Sequence, residues 1–543
     1  MRLLMRTFKK LHRKQSVAHL SILCRGKPIS REDLFLYTNG RFLADEQHQY
    51  ERRYRKFDVD ALCGVAAAVG RGRSPIKTVE KLEGGFSKAL LMTKEDGEAL
   101  IAKIPCRIAG PAFLTTAAEV GALEYLRRHT TIPAPRVLSW SPDEANPVGA
   151  EYIVMEKAPG VPLFEEWREM TEYDKLELIK GLTKLEAQLS ATSFPAFGGL
   201  YLQSDAKGFN HQDLDGSELC VGPSPDRSFH NLDSPLASTI DQGPWNTVSE
   251  LGISLAKQEL SRISTKTTVE QEISHQPGSQ GGARLLEITI SLMKTLDSNT
   301  ILAKHSQPTL WHTDLHMGNI FIGPEEKSKI TALIDVQSLS ILPFFLQAQW
   351  PVFLKPPQDY PYPKGFVQPS LPAEFDSFSA DEKHAAQQEW MAAKMAKAYE
   401  VSTFLENRTA YHAMNVPRVL RELFIRLGEV SDVGVVPLRE CLIEISRSWA
   451  ELGFEGECPY SFTAGEIESH EREFEKYREW NEVQQLAMQC LDTDAEGWIA
   501  PQVDFEEKMR QNRELLRLYT EKVAERGVSE EEARAIWPFP VED

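Results

Sequence analysis

The stretch WHTDLHMGNIFI, residues 311–322, places two histidines, an aspartate and an asparagine between apolar flanks. Buried polar groups cost free energy unless each one finds a partner, so the pattern indicates a loop that is held in the core. Asp314 and Asn319 lie five positions apart within it. A structural turn whose polar groups satisfy one another is the alternative interpretation.

A short apolar segment, KITALID (329–335), follows this loop and ends in Asp335. If it pairs as a hairpin with the residues after Asn319, around GPEEKSK, two aspartates and one amide converge. Such oxygen ligands suit Mg²⁺, which prefers one or two carboxylates together with phosphate oxygens. The remaining aspartate would accept a proton from an attacking hydroxyl. This division of labour is typical of phosphoryl transfer.

Two apolar runs near the N-terminus predict strands. TVEKLEGGFSKALLMT (78–93) and EALIAKIP (98–105) flank KEDG, and Asp-Gly between apolar runs is a strong hairpin signal. Gly84 and Gly85 lie at an earlier turn, where they could let the backbone approach phosphates. A two-glycine turn is usually only a hairpin, so this signal is weak by itself.

A lysine and a glutamate then stand out. Lys103 occupies an apolar strand, and Glu119 lies 16 residues later in FLTTAAEVGALEYLRRH, which predicts a helix capped by Thr115 or Thr116. A strand lysine paired with a helix glutamate is the protein-kinase arrangement for holding nucleotide phosphates. An edge-strand lysine that reaches solvent, and an exposed helix glutamate, are the alternatives.

Composition excludes some classes of protein. The 543 residues carry a net charge of −18, which argues against nucleic-acid binding. Seven cysteines without metal-binding spacing indicate reduced thiols. The sequence contains no uninterrupted run of about 18 apolar residues, so we expect no membrane span. The nearest run, 339–354, contains two prolines and two glutamines and is better interpreted as buried core.

The first thirty residues have a composition of their own, with eight Lys or Arg residues and no acid. Leu4, Phe8 and Leu11 fall near one face of a helix, and most of the basic residues lie elsewhere. A basic, amphipathic and acid-free segment is typical of a mitochondrial transit peptide. A basic tail without a targeting role is the alternative.

The remaining segments are assigned more coarsely. Residues 31–76 predict a helical extension, and residues 165–193 predict an amphipathic helix. Residues 202–245, rich in Ser, Asp, Gly and Pro, predict a long loop or insertion. After residue 376 the chain predicts charged helices.

Several of these motifs together resemble a known superfamily. WHTDLHMGNIFI, ALIAKIP, AAEVGALEYL, YIVMEKAPG and ITALID are similar to the aminoglycoside phosphotransferase-like (choline-kinase-like) superfamily. LYTNGRFLADEQHQYERRYRKFDVDAL, EKLEGGFSKALLMT and IDVQSLSILPFFLQAQWPVFL more closely resemble the fungal family called altered inheritance of mitochondria protein 9. The resemblance covers roughly residues 34–360.

The resemblance implies an α+β, protein-kinase-like bilobal fold, with a small antiparallel β-rich N-lobe and a larger helical C-lobe extended by further helices. The boundaries expected on this basis are a transit peptide at 1–30, a helical extension at 31–76, an N-lobe at 77–158, a C-lobe with the catalytic loop at 159–375, and a helical C-terminal part at 376–543.

The resemblance also implies roles for individual residues. Asp314 would be the catalytic base, and Asn319 and Asp335 would bind Mg²⁺. The expected ATP-binding residues are Gly84, Gly85, Phe86, Ser87, Lys103, Glu119, Met155 and Lys157. Within this set Glu119 would orient Lys103, and the 155–158 backbone would meet the adenine. Val336 and Gln337 depart from the family pattern, because many relatives carry an aromatic residue and a glutamate there.

The expected function is transfer of the γ-phosphoryl group of ATP to a hydroxyl of a small molecule in the mitochondrion. A nucleotide-binding, non-catalytic pseudokinase that acts as a mitochondrial scaffold or regulator is the alternative. A protein kinase is disfavoured, since neither DFG nor APE follows the loop. No sequence feature identifies the phosphoryl acceptor or a protein partner.

Overall fold

A seven-stranded sheet forms the smaller lobe of the computed structural model, which describes residues 20–230, 241–265 and 281–541 except positions 359 and 364. The first eight strands are β1 (Ser21–Cys24), β2 (Lys27–Pro28), β3 (Arg41–Phe42), β4 (Ile76–Lys81), β5 (Ser87–Lys94), β6 (Ala99–Pro105), β7 (Val137–Ser141) and β8 (Tyr152–Glu156). All except β3 join the sheet, in the order β2-β1-β4-β5-β6-β8-β7. Three helices belong to this lobe, namely α1 (Glu46–Arg53), α2 (Val59–Ala68) and α3 (Leu114–His129).

The predicted hairpin is confirmed, since β5 and β6 pair antiparallel from Ser87 opposite Pro105 to Thr93 opposite Ala99. Gly97 closes the turn with φ +89, a conformation that glycine adopts without steric cost. The buried side chains of both strands face the core of the small lobe, which includes Leu90 and Ala102.

The small lobe begins earlier in the chain than predicted. Strand β1 pairs parallel with β4, with Ser21 opposite Thr78 and Cys24 opposite Lys81. A transit peptide that ended at residue 30 would remove this strand, so the pairing favours a targeting segment that ends before Ser21, and the boundary itself stays a prediction. The rest of the predicted segment, residues 1–19, lies outside the described residues.

The predicted helical extension, residues 31–76, belongs to the small lobe. Its helices α1 and α2 are present, and apolar residues from it, including Leu34, Phe57 and Leu62, join the core beneath the sheet. Burial of these side chains against the strands therefore makes the extension part of the lobe.

Helix α3 lies where the sequence predicts it, but the predicted cap is wrong. The helix begins at Leu114 after Phe113, and no side chain caps it. Thr115 lies inside the first turn, where its hydroxyl donates to the carbonyl of Pro111 at 2.8 Å. Close packing shapes the middle of the helix, where Gly121 lies against the backbone of Leu200.

The larger lobe combines small sheets with helices. Its strands are β9 (Val161–Pro162), β10 (Gly199–Leu202), β11 (Gln212–Asp213), β12 (Leu219–Gly222), β13 (Pro308–Trp311), β14 (Ile320–Ile322), β15 (Ile330–Leu333) and β16 (Ser340–Pro343). Its helices are α4 (Leu163–Glu166), α5 (Glu172–Ser190), α6 (Val248–Thr265), α7 (Gly282–Met293) and α8 (Phe344–Gln347). The prediction that 339–354 is buried core agrees with the complete burial of Phe344 and Phe345.

The segment predicted as a long loop, 202–245, is partly structured. Strands β10, β12 and β11 form a three-stranded sheet in that order, and all four residues of β12 are buried. These strands have two to four residues each, which is too short for an alternating pattern to show in the sequence.

The C-terminal part is almost entirely helical, as predicted. It contains α9 (Ala380–Glu406), α10 (Arg408–Met414), α11 (Arg418–Gly428), α12 (Val430–Val433), α13 (Val436–Arg447), α14 (Ala464–Leu491), α15 (Phe505–Ala524), α16 (Glu530–Ile536) and the strand β17 (Trp498–Ile499). Leu423 of α11 and Leu442 of α13 share a hydrophobic cluster with Leu255 and Leu286 of the larger lobe.

This C-terminal part also reaches the smaller lobe. Strand β17 pairs antiparallel with β3, with Trp498 opposite Phe42. Leu43 joins an apolar cluster with Leu491 and Phe539. The last helices therefore connect the two lobes. None of the helices within the described ranges has the length and hydropathy needed to cross a bilayer.

Candidate active site

The stretch that opens the sequence argument leads into a hairpin. Strand β14 pairs antiparallel with β15, with Ile320 opposite Leu333, so the predicted pairing around 323–329 is confirmed. The Ile334 amide donates to the carbonyl of Asn319 at 3.0 Å. Asn319, just before β14, and Asp335, just after β15, therefore lie side by side.

Hydrogen bonds hold the loop before this hairpin. The Asn319 side-chain amide donates to the carbonyl of Asp314 at 2.9 Å. The Gly318 amide donates to Nδ1 of His316 at 3.0 Å. Leu310 and Ile320, one on each side of the loop, are completely buried. The apolar flanks thus anchor the backbone while the Asp314 side chain reaches solvent.

His312 holds the loop against the strand that precedes Asp335. Its Nε2 donates to the carbonyl of Ile334 at 3.1 Å, which links the loop to the residue before Asp335. Burial lowers the pKa of His312, so the ring is neutral at pH 7.

Lys103 connects the two lobes at this site. Its ammonium donates to both carboxylate oxygens of Glu119, at 2.7 and 2.9 Å, and to Oδ1 of Asp335 at 2.8 Å. Lys103 and Glu119 are buried, whereas the Asp335 side chain is 45% exposed. The strand lysine thus pairs with the helix glutamate as predicted, and its contact with Asp335 is an addition that was not predicted.

The electrostatics of these three groups are coupled. Burial would lower the pKa of Lys103, but the charges of Asp335 and Glu119 more than offset that effect and raise it. Burial raises the pKa of Glu119 despite the neighbouring ammonium. The Lys103 ammonium lowers the pKa of Asp335. Lys103 and Asp335 are therefore charged at neutral pH.

Asp314 has a different environment. Its partial burial in the cleft raises the pKa of its carboxyl, while His316 and His312 act in the opposite direction. A raised pKa makes a carboxylate a better proton acceptor, provided that it stays ionised at the working pH.

Asp335 adopts a left-handed backbone conformation, with φ 56° and ψ 55°. This region is sparsely populated for residues other than glycine, although aspartate tolerates it better than most. Such strain is concentrated at functional sites. The conformation ends β15 and places the carboxylate beside Lys103.

Residues 82–88, which we call the glycine hairpin, connect β4 to β5. The Gly84 amide donates to the carbonyl of Ser87 at 3.1 Å and closes the turn. The Ser87 hydroxyl donates to Oε1 of Gln337 at 3.2 Å. Gln337, one of the two departures from the family pattern, therefore joins the hairpin to the segment after Asp335.

A cavity of about 350 Å³ opens beside these residues. It is lined by Phe86, Ala109, Pro225, Asp226, Arg227, Thr313, Asp314, Asp335, Gln337 and Ser340. Arg227 lies over the Phe86 ring, with 4.8 Å from guanidinium carbon to ring centroid. The sequence argument missed Arg227, because it lies in the segment predicted as a loop and no motif surrounds it.

Met155 and Lys157, which were predicted to contact the nucleotide, do not line the described cavity. Met155 is buried in β8, opposite Ile101 and Val137. Lys157 is exposed and does not line the described cavity. Only the backbone of this connection between the lobes could therefore act as a base-binding edge.

The sequence matches a known family over the residues that build this site. Residues 78–344 match the family model described as the phosphotransferase enzyme family, APH. The match includes the glycine hairpin, Lys103, Glu119, Asp314, Asn319 and Asp335. Together with the two lobes, it confirms the bilobal, kinase-like α+β fold.

Curated relatives are similar to this chain over more than residues 78–344. A subtelomeric hrmA-associated cluster protein of Aspergillus fumigatus is 29% identical over 495 residues, which span 84% of this chain and 95% of the relative. The mitochondrial protein altered inheritance of mitochondria protein 9 of Clavispora lusitaniae is 22% identical over 559 residues, covering 90% and 89%. The predicted mitochondrial location agrees with the name of this second relative.

Solved structures are more distant. An aminoglycoside phosphotransferase solved with ADP and hygromycin B is 13% identical, with a TM-score of 0.33, and the match covers 70% of this chain and 95% of that one. Another aminoglycoside phosphotransferase, in complex with gentamicin, is also 13% identical, with a TM-score of 0.33 and coverage of 68% and 91%.

Proposed function

We propose that this protein transfers the γ-phosphoryl group of ATP, with Mg²⁺, to a hydroxyl of a small molecule. The observation that carries the proposal is the position of the Lys103 ammonium, within 2.9 Å of carboxylate oxygens on both Glu119 and Asp335. Lys103 and Asp335 are 232 positions apart in the sequence, so only the folded chain brings them together. A merely structural lysine would not need a partially exposed carboxylate at the cleft.

Asp314 is assigned as the proton acceptor. Its side chain reaches the cavity, and its backbone carbonyl is fixed by the amide of Asn319. Fixing the base before substrate arrives lowers the entropic cost of reaching the transition state. The raised pKa of Asp314 favours acceptance of the proton that leaves the attacking hydroxyl.

The residues at the hairpin fit a magnesium ion. Asn319 uses its amide nitrogen on the Asp314 carbonyl, which leaves its Oδ1 for another partner. Asp335 keeps a carboxylate oxygen beyond the one that accepts from Lys103. Amide and carboxylate oxygens are the ligands Mg²⁺ prefers, and bound there it would neutralise charge on the nucleotide phosphates.

Lys103 and the glycine hairpin are assigned to the nucleotide. The ammonium would contact phosphate oxygens while Glu119 keeps it oriented across the cleft. The backbone of 84–87 would cover the phosphates, and the backbone of 155–158 would meet the adenine. Asp335 is the second anionic partner of Lys103, so the ammonium already lies beside the proposed metal ligand.

The acceptor is assigned to the cavity beside Asp314. Its volume of about 350 Å³ lies in the range of small-molecule sites. Among its described lining residues, one guanidinium faces three carboxylates, and the hydroxyl and amide groups of Thr313, Ser340 and Gln337 complete a polar wall. A hydroxylated small molecule suits such a surface.

We place this activity in the mitochondrion. The basic N-terminal composition and the names of the relatives called altered inheritance of mitochondria protein 9 support this location. The targeting segment would end before β1, which begins at Ser21.

Two aspartate variants test the roles. Asp314→Asn keeps the metal ligands, so MgATP binding stays near that of the unaltered protein while transfer falls by roughly 10²–10⁴. Asp335→Asn removes a metal carboxylate, so it loses the MgATP-induced stabilisation, about 2.7 kcal/mol at a hundredfold excess over Kd. Calorimetric melting with and without MgATP, and transfer of label from γ-labelled ATP to a metabolite mixture, measure the two effects.

Asp215→Asn is the matched control, because Asp215 is exposed in the turn between β11 and β12 and lies outside the cavity. Loss of nucleotide binding in Asp314→Asn with none in Asp335→Asn would refute the assignment. MgATP binding by a protein that transfers no label to any acceptor would favour the non-catalytic alternative.

A further inference from the structure

The glycine hairpin is held at its base by the segment before α1. Glu83 forms ion pairs with Lys81 and Lys88, and all three side chains are buried. Oε2 of Glu83 also accepts from the Thr38 amide at 2.7 Å. These contacts fix where the hairpin begins and ends, but they do not touch its tip.

Arg53, the last residue of α1, holds the tip. Its Nε donates to the carbonyl of Gly85 at 3.1 Å, and its Nη1 donates to the carbonyl of Gln49 at 3.3 Å. The residue is 3% exposed, and its guanidinium lies 4.8 Å from the ring centroid of Phe42. The Cys106 thiol donates to the carbonyl of Arg53 at 3.4 Å.

The remaining edge of the guanidinium is held by the C-terminal part. Nη2 of Arg53 forms an ion pair with Glu496, and Arg52 approaches the same carboxylate at 3.8 Å. The Glu496 amide donates to Oδ1 of Asp494 at 3.0 Å. The indole of Trp498 donates to the carbonyl of Asn39 at 2.8 Å.

We infer that Arg53 and Glu496 are a positioning pair, through which the C-terminal part orients the glycine hairpin over the nucleotide phosphates. This inference rests on the proposed function. A guanidinium presents its donors in a rigid planar fork, so fixing one edge fixes the direction of the others. Glu496 fixes the Nη2 edge of the Arg53 guanidinium, and the Nε–H of the same group holds the Gly85 carbonyl.

Geometry explains why the pair acts on the tip in particular. Gly84 and Gly85 have no side chains and face open space, so packing does not restrain them. Among the described contacts, Arg53 restrains Gly85 from outside the hairpin, whereas Cys106 and Gln337 contact the adjacent residues Phe86 and Ser87. If Glu496 loses its charge, Arg53 keeps its stacking on Phe42 and its hydrogen bond to Gln49, but loses the ionic partner of its Nη2 edge.

Two substitutions of the same kind separate positioning from general support by the C-terminal part. Glu496→Gln removes the carboxylate that meets Arg53. Glu506→Gln is the matched control, because Glu506 also joins the C-terminal part to the small lobe, through Arg41 at 3.7 Å. Among the described contacts, Arg41 has none with the glycine hairpin. The side chains of Arg41 and Glu506 are both exposed.

Hydrogen exchange of the protein without nucleotide is the first measurement. The informative amides are those of Gly84, which donates to Ser87, and Cys106, which donates to the carbonyl of Phe86 at 2.9 Å. Glu496→Gln should accelerate their exchange by roughly tenfold, as expected for loss of a charge-assisted hydrogen bond. Exchange within α15 should be unchanged, because Glu496 lies outside that helix.

The second measurement is the affinity for MgATP, determined by titration calorimetry. Glu496→Gln should weaken it by roughly three- to tenfold, whereas Glu506→Gln should leave it unchanged. Arg53→Lys, which keeps the charge but loses the fork, should weaken it to a similar extent, and the double variant Arg53→Lys with Glu496→Gln should be no weaker than the single ones.

Equal behaviour of Glu496→Gln and Glu506→Gln in hydrogen exchange would overturn the inference. So would additive losses in the double variant. A failure of the unaltered protein to bind MgATP would instead refute the proposed function, and the hairpin exchange would still decide whether the pair positions the tip.

Discussion

Replacing Lys103 by methionine tests whether the buried ion pair is as tightly coupled as the geometry indicates. Methionine keeps an apolar stem of similar length but removes the ammonium that Glu119 and Asp335 share. Removing one partner of a buried pair costs about 3–5 kcal/mol if the other stays charged. Glu119 is buried and bears that cost, whereas Asp335 is 45% exposed and contributes little.

The loss should depend on pH, and its direction follows from Glu119. Burial already raises the pKa of Glu119 in the unaltered protein, and loss of the ammonium raises it further. A carboxyl whose folded pKa lies above its unfolded value destabilises the fold increasingly as pH rises between the two. The variant should therefore lose about 3–5 kcal/mol at pH 8 and clearly less at pH 5.

Urea unfolding at the two pH values measures this loss. Adding Glu119→Leu to Lys103→Met should recover most of the stability, because no buried charge then lacks a partner. Lys157→Met is the control, since Lys157 is exposed and should change stability by less than about 0.5 kcal/mol. A Lys103→Met protein as stable as the unaltered one at pH 8 would refute the reasoning, as would a double variant less stable than either single variant.

The remaining predictions concern other parts of the chain. Gly121→Ala should destabilise the protein by about 1–3 kcal/mol in thermal unfolding, because the added methyl group would lie 2.2 Å from the carbonyl oxygen of Leu200; an unchanged melting temperature would contradict this packing. Glu186 accepts from the Tyr399 hydroxyl at 2.9 Å, and burial raises its pKa to about 8. The unaltered protein should therefore lose stability as pH rises from about 4.5 to 8; Glu186→Gln should flatten that dependence in calorimetry, and an unaltered slope would exclude this residue as its source. Residues 1–19 fused to a fluorescent reporter should direct it to mitochondria as well as residues 1–30 do, and a diffuse cytosolic signal would reject the targeting role.

The arrangement of the loop at 311–319 and the following hairpin was predictable because their residues are close in sequence. Asp314, Asn319 and Asp335 lie within one loop and one hairpin, so spacing and apolar flanks are enough to bring them together. Lys103 and Glu119 were recognisable for another reason. Each is a charged residue in an apolar context, and such residues need partners when buried.

The contacts that the sequence did not reveal are distant or carry no pattern. Arg53 and Glu496 are 443 positions apart, and each lies among other charged residues that look like solvated surface. Strand β1 lies in a basic segment whose composition indicated targeting rather than a strand within a sheet. Strands β10 to β12 are too short to show alternation, so tertiary packing alone determines them.

The pairing of β3 with β17 has a consequence for synthesis on the ribosome. The match to the phosphotransferase family model ends at residue 344, yet the strand that pairs with residues 41–42 and the carboxylate that meets Arg53 are translated much later. A nascent chain released after residue 344 would contain every residue assigned to catalysis and still lack the carboxylate of Glu496, which holds Arg53 beside the glycine hairpin. Messages truncated between these points would therefore yield products that have the active-site residues but not the fastened loop, so completion of translation itself becomes the step that finishes the site.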